Sequence, residues 1–314
     1  MSPDLSVILV VGERRDRAVG ALASLLAQDV ADRLEILLLD LAPGETVPIP
    51  GSGHPAVRTV HLRADTFFST AKAQGVRMAS APVVAFLEEH GRVHAGWARA
   101  LIEAHRGPWA GVGAEVHNGN PGSAVSRVVA LMNYHPWLPP APRAEFDMLP
   151  GHNASFKRDV LLGYGDRLED LLRAEIVLHR KLHEDGHRLL LEPAARFEHI
   201  NESSLPSIAR GYFLFHRCYG PMRAATFGWS AARRLFYAAA TPVIPLYFLV
   251  KLCRTLARRR PELLAAVPAA VPCILAAQLA SAAGHAVGLL FGMGDAEARF
   301  SRFEMNEHRE QDPV

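Results

Sequence analysis

Cysteine is scarce in this sequence of 314 residues, and its few positions already restrict the class of protein. The three cysteines, Cys218, Cys253 and Cys273, are odd in number and lack the spacing of metal ligands. They all lie in the last third of the chain. This usage excludes a disulfide framework or a cysteine-bound zinc, and we expect reduced thiols in a cytosolic or membrane setting.

The chain also has almost no net charge. Its formal charge is +2, so no overall positive field recruits nucleic acid, and we expect no nucleic-acid partner. Hydrophobic residues make up 49 % and charged residues 21 %, a balance that excludes wholesale disorder. Residues 1–5 have neither a basic start nor an apolar run, so we expect no secretory signal peptide.

Two enzyme signatures are missing, and a third is present without the continuous helix that its chemistry requires. The first turn, residues 12–16, lacks the glycine-rich dinucleotide fingerprint, and the sequence has no G-x-S-x-G hydrolase motif. H-E-x-x-H does occur at residues 183–187. Gly186 predicts the end of a helix between the two histidines, with a strand starting at His187. The histidines would then diverge, and we do not expect a metalloprotease.

Apolar runs alternate with amphipathic segments as far as about residue 200. The runs predict buried strands at Leu5–Val11, Glu35–Leu39 and Val83–Leu87, and an alternating pattern predicts a further strand at Ala56–Leu62. The segments between and after them predict helices, including Ser69–Ala79 and Ala95–His105. This rhythm predicts an α/β fold with a mostly parallel sheet. Glycine and proline are dense between Val116 and Met148, which predicts loops there.

Polar residues follow three of the predicted strands. The Gly12–Arg17 loop, Asp40, and the triplet Glu88-Glu89-His90 each begin where a strand ends. Because the carboxyl ends of parallel strands share one edge of a sheet, we expect these residues to converge. Carboxylate and imidazole groups bind divalent metals, so the triplet predicts a metal-dependent site. The alternative is an acidic turn after a strand.

Over residues 4–200 the chain resembles family 2 glycosyltransferases of the GT-A fold. Five segments carry the resemblance in the family's order: Ser6–Val11, Glu35–Asp40, Ala71–Arg77 (similar to A-R-N-x-G-hydrophobic-R), Val83–His90 (at the place of the D-x-D motif) and Pro150–Arg158 (similar to G-x-N-x-x-F-R-R). The resemblance implies a GT-A sheet flanked by helices and transfer of a sugar from a nucleotide-diphosphate sugar.

The resemblance also implies site residues. Those on the donor side are Val11, Glu13, Asp40, Lys72, Glu88 and Glu89, and those on the acceptor side are Gly151, His152 and Asn153. A divalent cofactor, Mn²⁺ or Mg²⁺, is expected on Glu88, His90 and His199, and imidazole favours Mn²⁺. Two alternatives stay open: Lys72 or a nearby arginine balances the leaving diphosphate, and His199 is only a polar residue at a strand end.

Glu175 is the candidate catalytic base. We predict one helix over Leu168–His183, and Glu175 falls within its apolar arc. A carboxylate aimed at a core is costly unless it is paired or protonated, and such surroundings suit a general base. The resemblance places the second acid of an E-D or D-D pair at this position, which is Ala174-Glu175 here. The alternative is a structural pair between Glu175 and a buried arginine.

The composition turns apolar near the C-terminus. We expect a GT-A domain over residues 1–220 and a helical, membrane-associating region over 221–314. Leu235–Cys253 is nearly uncharged and has basic residues on both sides, which indicates an interfacial or re-entrant segment on the cytoplasmic side. Cys273–Met293 is long enough to span a bilayer, and buried helices of a soluble protein are the alternative.

These observations predict a glycosyltransferase at the cytoplasmic face of a membrane. We expect a single, inverting displacement onto a saccharide or lipid-linked acceptor, in the synthesis of cell-envelope polysaccharide. The alternative is a catalytically silent subunit that binds nucleotide-sugars or assists assembly.

Overall fold

The structure, a computed structural model, describes residues 2–44 and 47–306, apart from the side chain of His152. The strands are β1 Leu5–Val11, β2 Leu34–Asp40, β3 Val57–His61, β4 Val83–Glu88, β5 Gly91–Val93, β6 Gly111–Asn118, β7 Ala144–Glu145, β8 Ala154–Lys157 and β9 Leu189–His199. The helices are α1 Arg15–Leu26, α2 Phe68–Met78, α3 Trp97–Ala104, α4 Ala124–Tyr134, α5 Arg158–Leu162, α6 Leu168–Leu172, α7 Glu175–Glu184, α8 Leu205–Thr226, α9 Ala231–Ala239, α10 Ile244–Arg259, α11 Val267–Phe291 and α12 Ala296–Asn306.

The described residues form two compact units. The first contains residues 2–119 and 137–200, and the second contains residues 120–136 and 201–306. Helix α8 lies in the second unit and crosses the predicted boundary at residues 220/221.

The first unit is built on one mixed sheet. Its strand order is β3-β2-β1-β4-β8-β6-β9-β5, with β7 beside β9. The strands β1 to β4 are parallel to their neighbours among themselves, whereas β8 runs antiparallel between β4 and β6. β1 is buried throughout and β2 nearly so, as their continuous apolar sequences require.

The register of the parallel strands sets the position of the predicted site. Val11 at the end of β1 is level with Asp40 at the end of β2, and Val10 is level with Glu88 at the end of β4. The predicted convergence of the first loop, Asp40 and the Glu88–His90 triplet at one edge is therefore confirmed.

Two predicted elements differ from the structure. The helix predicted over Leu168–His183 is wrong, because the chain breaks it into α6 and α7, with Ala174 in an extended conformation (φ −145°, ψ 114°). The segment predicted as loops between Val116 and Met148 contains α4, whose N-cap Ser123 accepts a hydrogen bond from the Ser126 N–H.

The H-E-x-x-H segment is interrupted as predicted. Gly186 has a left-handed φ of +81° immediately after α7, a conformation that glycine adopts without strain. His183 lies on the helix and His187 lies beyond it, so the two histidines do not share a helical face. The strand starts at Leu189, two residues later than predicted.

The second unit is helical. α8 packs against α11 at very close range, because a Cβ on Gly284 would lie 2.2 Å from the Phe213 carbonyl oxygen and one on Gly288 would lie 2.3 Å from that of Arg217. Within the described residues, one helix, Pro261–Phe291, is long and apolar enough to cross a membrane. Ala231–Ala239 and Thr241–Arg259 meet the same criterion only together, across a bend of 40°.

Candidate functional site

Three predicted metal ligands meet at the sheet edge. Glu88 ends β4, His90 follows it, and His199 ends β9. The strand β5 brings them together by pairing with β9, with Gly91 opposite His199. A Cβ on Gly91 would lie 2.2 Å from the Phe197 ring, so glycine is required for this close approach.

The three side chains form a tight triangle of ligand atoms. His90 Nε2 and His199 Nε2 lie 3.1 Å apart, and they lie 3.2 Å and 3.1 Å from Glu88 Oε2. The side chains of Glu88, His90 and His199 are 16 %, 2 % and 6 % exposed. In the part of the chain that the structure describes, no other group of three such side chains brings its ligand atoms within 4.8 Å.

The triangle suits a cation better than a set of hydrogen bonds. A neutral imidazole nitrogen is either a donor or an acceptor, so at most two of the three contacts are hydrogen bonds at one time. Adjacent ligands of an octahedral ion, each bound at about 2.0–2.1 Å, lie roughly 3 Å apart. One divalent ion would therefore satisfy all three ligand atoms at nearly the separations observed.

Glu89 has a different role from its neighbours, because it holds the loop after β1. Its Oε2 accepts a hydrogen bond from the Gly12 N–H at 3.1 Å, and its Oε1 lies 3.4 Å from Arg17 Nη1. Both charged side chains are almost completely buried. The predicted donor residue Glu89 thus holds the first loop through Gly12 and the first turn of α1 through Arg17.

Asp40 is fully buried and surrounded by donors. Its carboxylate accepts hydrogen bonds from Arg15 Nη1 at 2.9 and 3.0 Å and from the Ala42 N–H at 3.0 Å, and His61 Nδ1 lies 3.4 Å away. Arg15 also donates from Nε to the Val47 carbonyl at 2.7 Å. Arg15 was not singled out in the sequence, which identified only the Gly12–Arg17 loop that contains it.

Two more of the predicted donor residues, Val11 and Glu13, contribute little side chain to the site. Val11 is buried, and its carbonyl accepts a hydrogen bond from the Leu41 N–H at 2.9 Å. Glu13 is exposed, and its carbonyl accepts from the Arg15 N–H at 2.9 Å, at the start of α1. Any contact that they make with a donor is therefore a contact of the loop backbone or of an exposed carboxylate.

Glu175 pairs with Lys72. Lys72 Nζ lies 3.0 Å from Glu175 Oε1, and the two side chains are 5 % and 29 % exposed. The ammonium also lies over the rings of Phe68 and Phe86, at 4.5 and 5.3 Å from their centroids. The expectation that Glu175 lies mid-helix within an apolar arc is wrong, because Glu175 opens α7. The alternative was a structural pair with a buried arginine, and the partner that the structure shows is Lys72.

The acceptor segment packs against this pair. A Cβ on Gly151 would lie 2.3 Å from Glu175 Cγ, so the missing side chain makes room for the carboxylate. Asn153 is buried, and its Oδ1 accepts a hydrogen bond from Trp97 Nε1 at 3.1 Å. Asn153 Nδ2 has no hydrogen-bond partner among the described residues. The predicted acceptor residue His152 has its side chain outside the described part of the structure.

Two further histidines lie in the core of the first unit and stay neutral. His179 stacks on Phe156, and neither of its ring nitrogens has a hydrogen-bond partner in residues 2–44 and 47–306. Burial lowers the pKa of His179 to about 3. His105 is bonded to Ser155 Oγ at 2.9 Å, and burial, assisted by Lys157, lowers its pKa to about 3. They are part of the packing and not of the site.

Comparison with known proteins shows the fold. No protein-family model matches the sequence, and no curated protein matches it. Among solved structures, the chain is similar to the crystal structure of GalNAc-T7 with UDP, GalNAc and Mn²⁺, with a TM-score of 0.50 and 14 % identity. The match covers 63 % of this chain and 43 % of that one, so the chain spans less than half of that protein's length. The predicted GT-A fold, with a helical C-terminal region, is confirmed.

Proposed function

We propose that this protein is a metal-dependent glycosyltransferase that uses a nucleotide-diphosphate sugar. The observation that carries the proposal is the triangle of Glu88, His90 and His199 at the carboxyl edge of a GT-A sheet. The similar crystal structure contains UDP, GalNAc and Mn²⁺, which supports the same classes of ligand here.

The donor side is formed by the residues around this edge. Glu88, His90 and His199 would hold the ion, which would neutralise charge on the leaving diphosphate. Two imidazoles in the set favour Mn²⁺ over Mg²⁺. Asp40 ends the neighbouring strand and pairs with Arg15 at the start of α1, where the nucleotide would bind, and Glu89 keeps the first loop in place.

The acceptor side is formed by Glu175 and the turn at Gly151. The acceptor hydroxyl oxygen would form a bond to the anomeric carbon while its proton passes to the Glu175 carboxylate. The bond from that carbon to the diphosphate breaks with both electrons going to the diphosphate. A single displacement of this kind inverts the configuration of the sugar. Lys72 positions Glu175 by holding one carboxylate oxygen.

The second unit would place the enzyme on the cytoplasmic surface of a membrane. Exposed apolar residues line α9 and the start of α10, including Leu235, Phe236 and Leu246. α8 lies directly on α11, so a spanning α11 would draw Arg210 and Arg217 of α8 towards the bilayer, at a cost of about 3 kcal/mol for each arginine at its centre. We therefore favour interfacial binding, which suits a lipid-linked or cell-envelope saccharide as the acceptor.

Thermal stability with and without ligands tests the donor site. Ligands that bind only the native state raise its apparent stability. We expect nucleotide-sugars to stabilise the protein in the presence of Mn²⁺, and His199→Ala to remove the Mn²⁺-dependent part. His117→Ala, a matched change outside the triangle, would keep it. The metal panel includes Fe²⁺, because two histidines and one carboxylate also bind that ion.

Turnover separates the enzyme from a silent subunit. A glycosyltransferase releases the nucleotide diphosphate from one donor of a panel, slowly by hydrolysis or faster with an acceptor. Stabilisation by a donor without any release would identify a binding subunit instead. Equal Mn²⁺-dependent stabilisation of His199→Ala and the unaltered protein would contradict the proposed metal site.

A further inference from the structure

One long segment of the second unit has basic residues and no acidic ones. Residues 203–261 contain ten arginines and lysines, and neither aspartate nor glutamate. The net charge of +2 for the whole chain is thus the sum of +10 in this segment and −8 elsewhere. Arg217 and Arg260 pair with Asp295 and Glu262, carboxylates that lie outside the segment. An anionic surface is the natural external counterpart of a segment with this charge.

Within this segment, four side chains form an arginine–aromatic cluster: Arg223, Trp229, Arg233 and Tyr237. Trp229 and Tyr237 stack with their centroids 4.4 Å apart and their planes 19° from parallel. The Arg223 guanidinium lies 4.4 and 5.3 Å from the two centroids, and that of Arg233 lies 4.9 and 5.8 Å away. Two like charges are therefore held beside one ring pair.

The cluster has unused hydrogen-bonding capacity. Neither Arg223 nor Arg233 forms an ion pair with any described residue, and Arg223 Nε is buried with no hydrogen-bond partner among them. A guanidinium presents its donors in a planar fork that matches the oxygens of a phosphate. Two forks over one aromatic platform thus form a ready site for one phosphate group.

The surroundings of the cluster indicate where that phosphate comes from. Leu235 and Phe236 follow Arg233 on α9 and are 62 % and 67 % exposed, and Phe291 at the end of α11 is 78 % exposed. Arg234 Nη2 donates to the Leu289 carbonyl at 2.9 Å, which ties α9 to this end of α11. Tryptophan and tyrosine beside exposed apolar residues are typical of the membrane–water interface.

We propose that the arginine–aromatic cluster binds the headgroup phosphate of an anionic phospholipid while the apolar residues beside it enter the bilayer. This inference rests on the proposed membrane association and adds to it a defined lipid contact. The phosphate would lie between Arg223 and Arg233, and Trp229 would lie at the level of the headgroups.

Vesicle binding of the full chain tests the proposal. The vesicles are phosphatidylcholine alone or with about 30 % phosphatidylglycerol, at low salt and at about 0.3 M NaCl. Arg233→Gln removes the exposed guanidinium of the cluster, and Arg258→Gln removes the same charge from the end of α10. We expect Arg233→Gln to weaken binding to the anionic vesicles about fivefold at both salt concentrations, and Arg258→Gln to do so only at low salt.

Further variants distinguish recognition of a phosphate from simple attraction of charge. Arg233→Lys keeps the charge but not the fork, and we expect it to lose most of the salt-resistant binding. Brominated phosphatidylcholine should quench the emission of the unaltered protein and quench Trp229→Phe much less. Vesicle binding and fluorescence quenching do not depend on sugar transfer, which is measured separately with a soluble acceptor. A failure of the lipid site can therefore be distinguished from a failure of the proposed activity.

Three results would overturn the lipid site. Equal losses in Arg233→Gln and Arg258→Gln at every salt concentration would show diffuse attraction of charge. A change in Trp229 emission with inorganic phosphate alone, absent from Arg233→Gln, would assign the cluster to a soluble phosphate. No binding to either kind of vesicle would contradict both the proposed membrane association and the lipid site.

Discussion

At the scale of single residues, Glu175 is the side chain on which the proposed chemistry depends most. Its carboxylate opens α7, where the helix dipole favours a negative charge, and Lys72 holds one of its oxygens. This environment holds the carboxylate in one orientation beside the turn at Gly151. It differs from the apolar burial expected from the sequence, and it gives the base role a different physical basis.

Glu175→Gln should abolish transfer without loss of donor binding. The amide keeps the size and the contact with Lys72 but accepts no proton, so we expect kcat to fall by about 10²–10⁴-fold. Thermal stabilisation by the donor with Mn²⁺ should persist. Glu184→Gln, at the exposed end of the same helix, is the control. Unchanged turnover in Glu175→Gln would falsify the base assignment.

Glu89 illustrates a residue whose importance is structural support of the site. Glu89→Gln removes the negative charge that faces the buried Arg17 guanidinium, and breaking one contact of such a buried pair costs about 3 kcal/mol. We expect the free energy of unfolding in urea to fall by about that amount, and the KM for the donor to rise because the Gly12 loop loosens. Binding of Mn²⁺ in the absence of donor should be unchanged. Loss of Mn²⁺ binding as well would place Glu89 in the metal site.

At the scale of elements, the strands of the parallel half were predictable and several other elements were not. β1, β2 and β4 are continuous apolar runs that end at polar residues, a pattern that only a buried strand explains well. The break between α6 and α7 is not marked by a glycine or a proline. Its residues, Arg173 and Ala174, are both compatible with a helix. The close packing of Gly151 and Lys72 on Glu175 decides the break, and such contacts between distant segments leave no local pattern.

The same reasoning explains how much of the site was visible in the sequence. Glu88 and His90 were identified because they follow an apolar run, and His199 was identified from the resemblance to family 2 glycosyltransferases; the structure brings the three together. Arg15, Arg17 and His61 were missed because a basic residue near a strand end looks like any solvated side chain. Their function depends on which buried carboxylate lies opposite, and the tertiary structure alone supplies that information.

The turn at Gly151 offers a test of how closely elements must fit around the base. Gly151→Ala would place a methyl group 2.3 Å from Glu175 Cγ and 2.6 Å from Glu175 Cβ, so the backbone of the turn or of α7 must shift together with the carboxylate. We expect a fall in kcat of about tenfold or more, together with a measurable loss of stability. Gly122→Ala is the matched control, because a Cβ there meets open space. Equal kcat values for both variants would contradict this fit.

At the scale of the whole molecule, the stability of the first unit should depend on pH through its buried histidines. The folded pKa of His179 and of His105 is about 3, whereas an unfolded histidine titrates near 6.5. The unfolded chain therefore binds more protons between these values, and stability is complete above pH 6.5 and falls as the pH drops. The loss is about 1.4 kcal/mol per pH unit for each histidine.

His179→Leu measures one of these contributions. Urea unfolding, followed by tryptophan fluorescence from pH 7.5 to pH 5, should show a pH dependence reduced by about 1.4 kcal/mol per unit below pH 6.5. Above that pH the variant should be as stable as the unaltered protein, since it removes two ring nitrogens that have no partner among the described residues. The exposed His54→Leu should leave the slope unchanged, and an unchanged slope in His179→Leu would contradict the argument.

The alternation of side chains in Glu88-Glu89-His90 has a practical consequence for redesign. Glu88 and His90 point to the triangle and Glu89 points to the first loop, so one short segment supports two separate parts of the site. If the triangle binds a metal as proposed, substitutions at Glu88 and His90 would alter the choice of ion while the first loop stays anchored. A substitution at Glu89 would alter that loop while the triangle stays in place. Glu89 and His90 lie in the turn between β4 and β5, so an inserted residue would displace both side chains, and substitutions are the better route to a new metal preference.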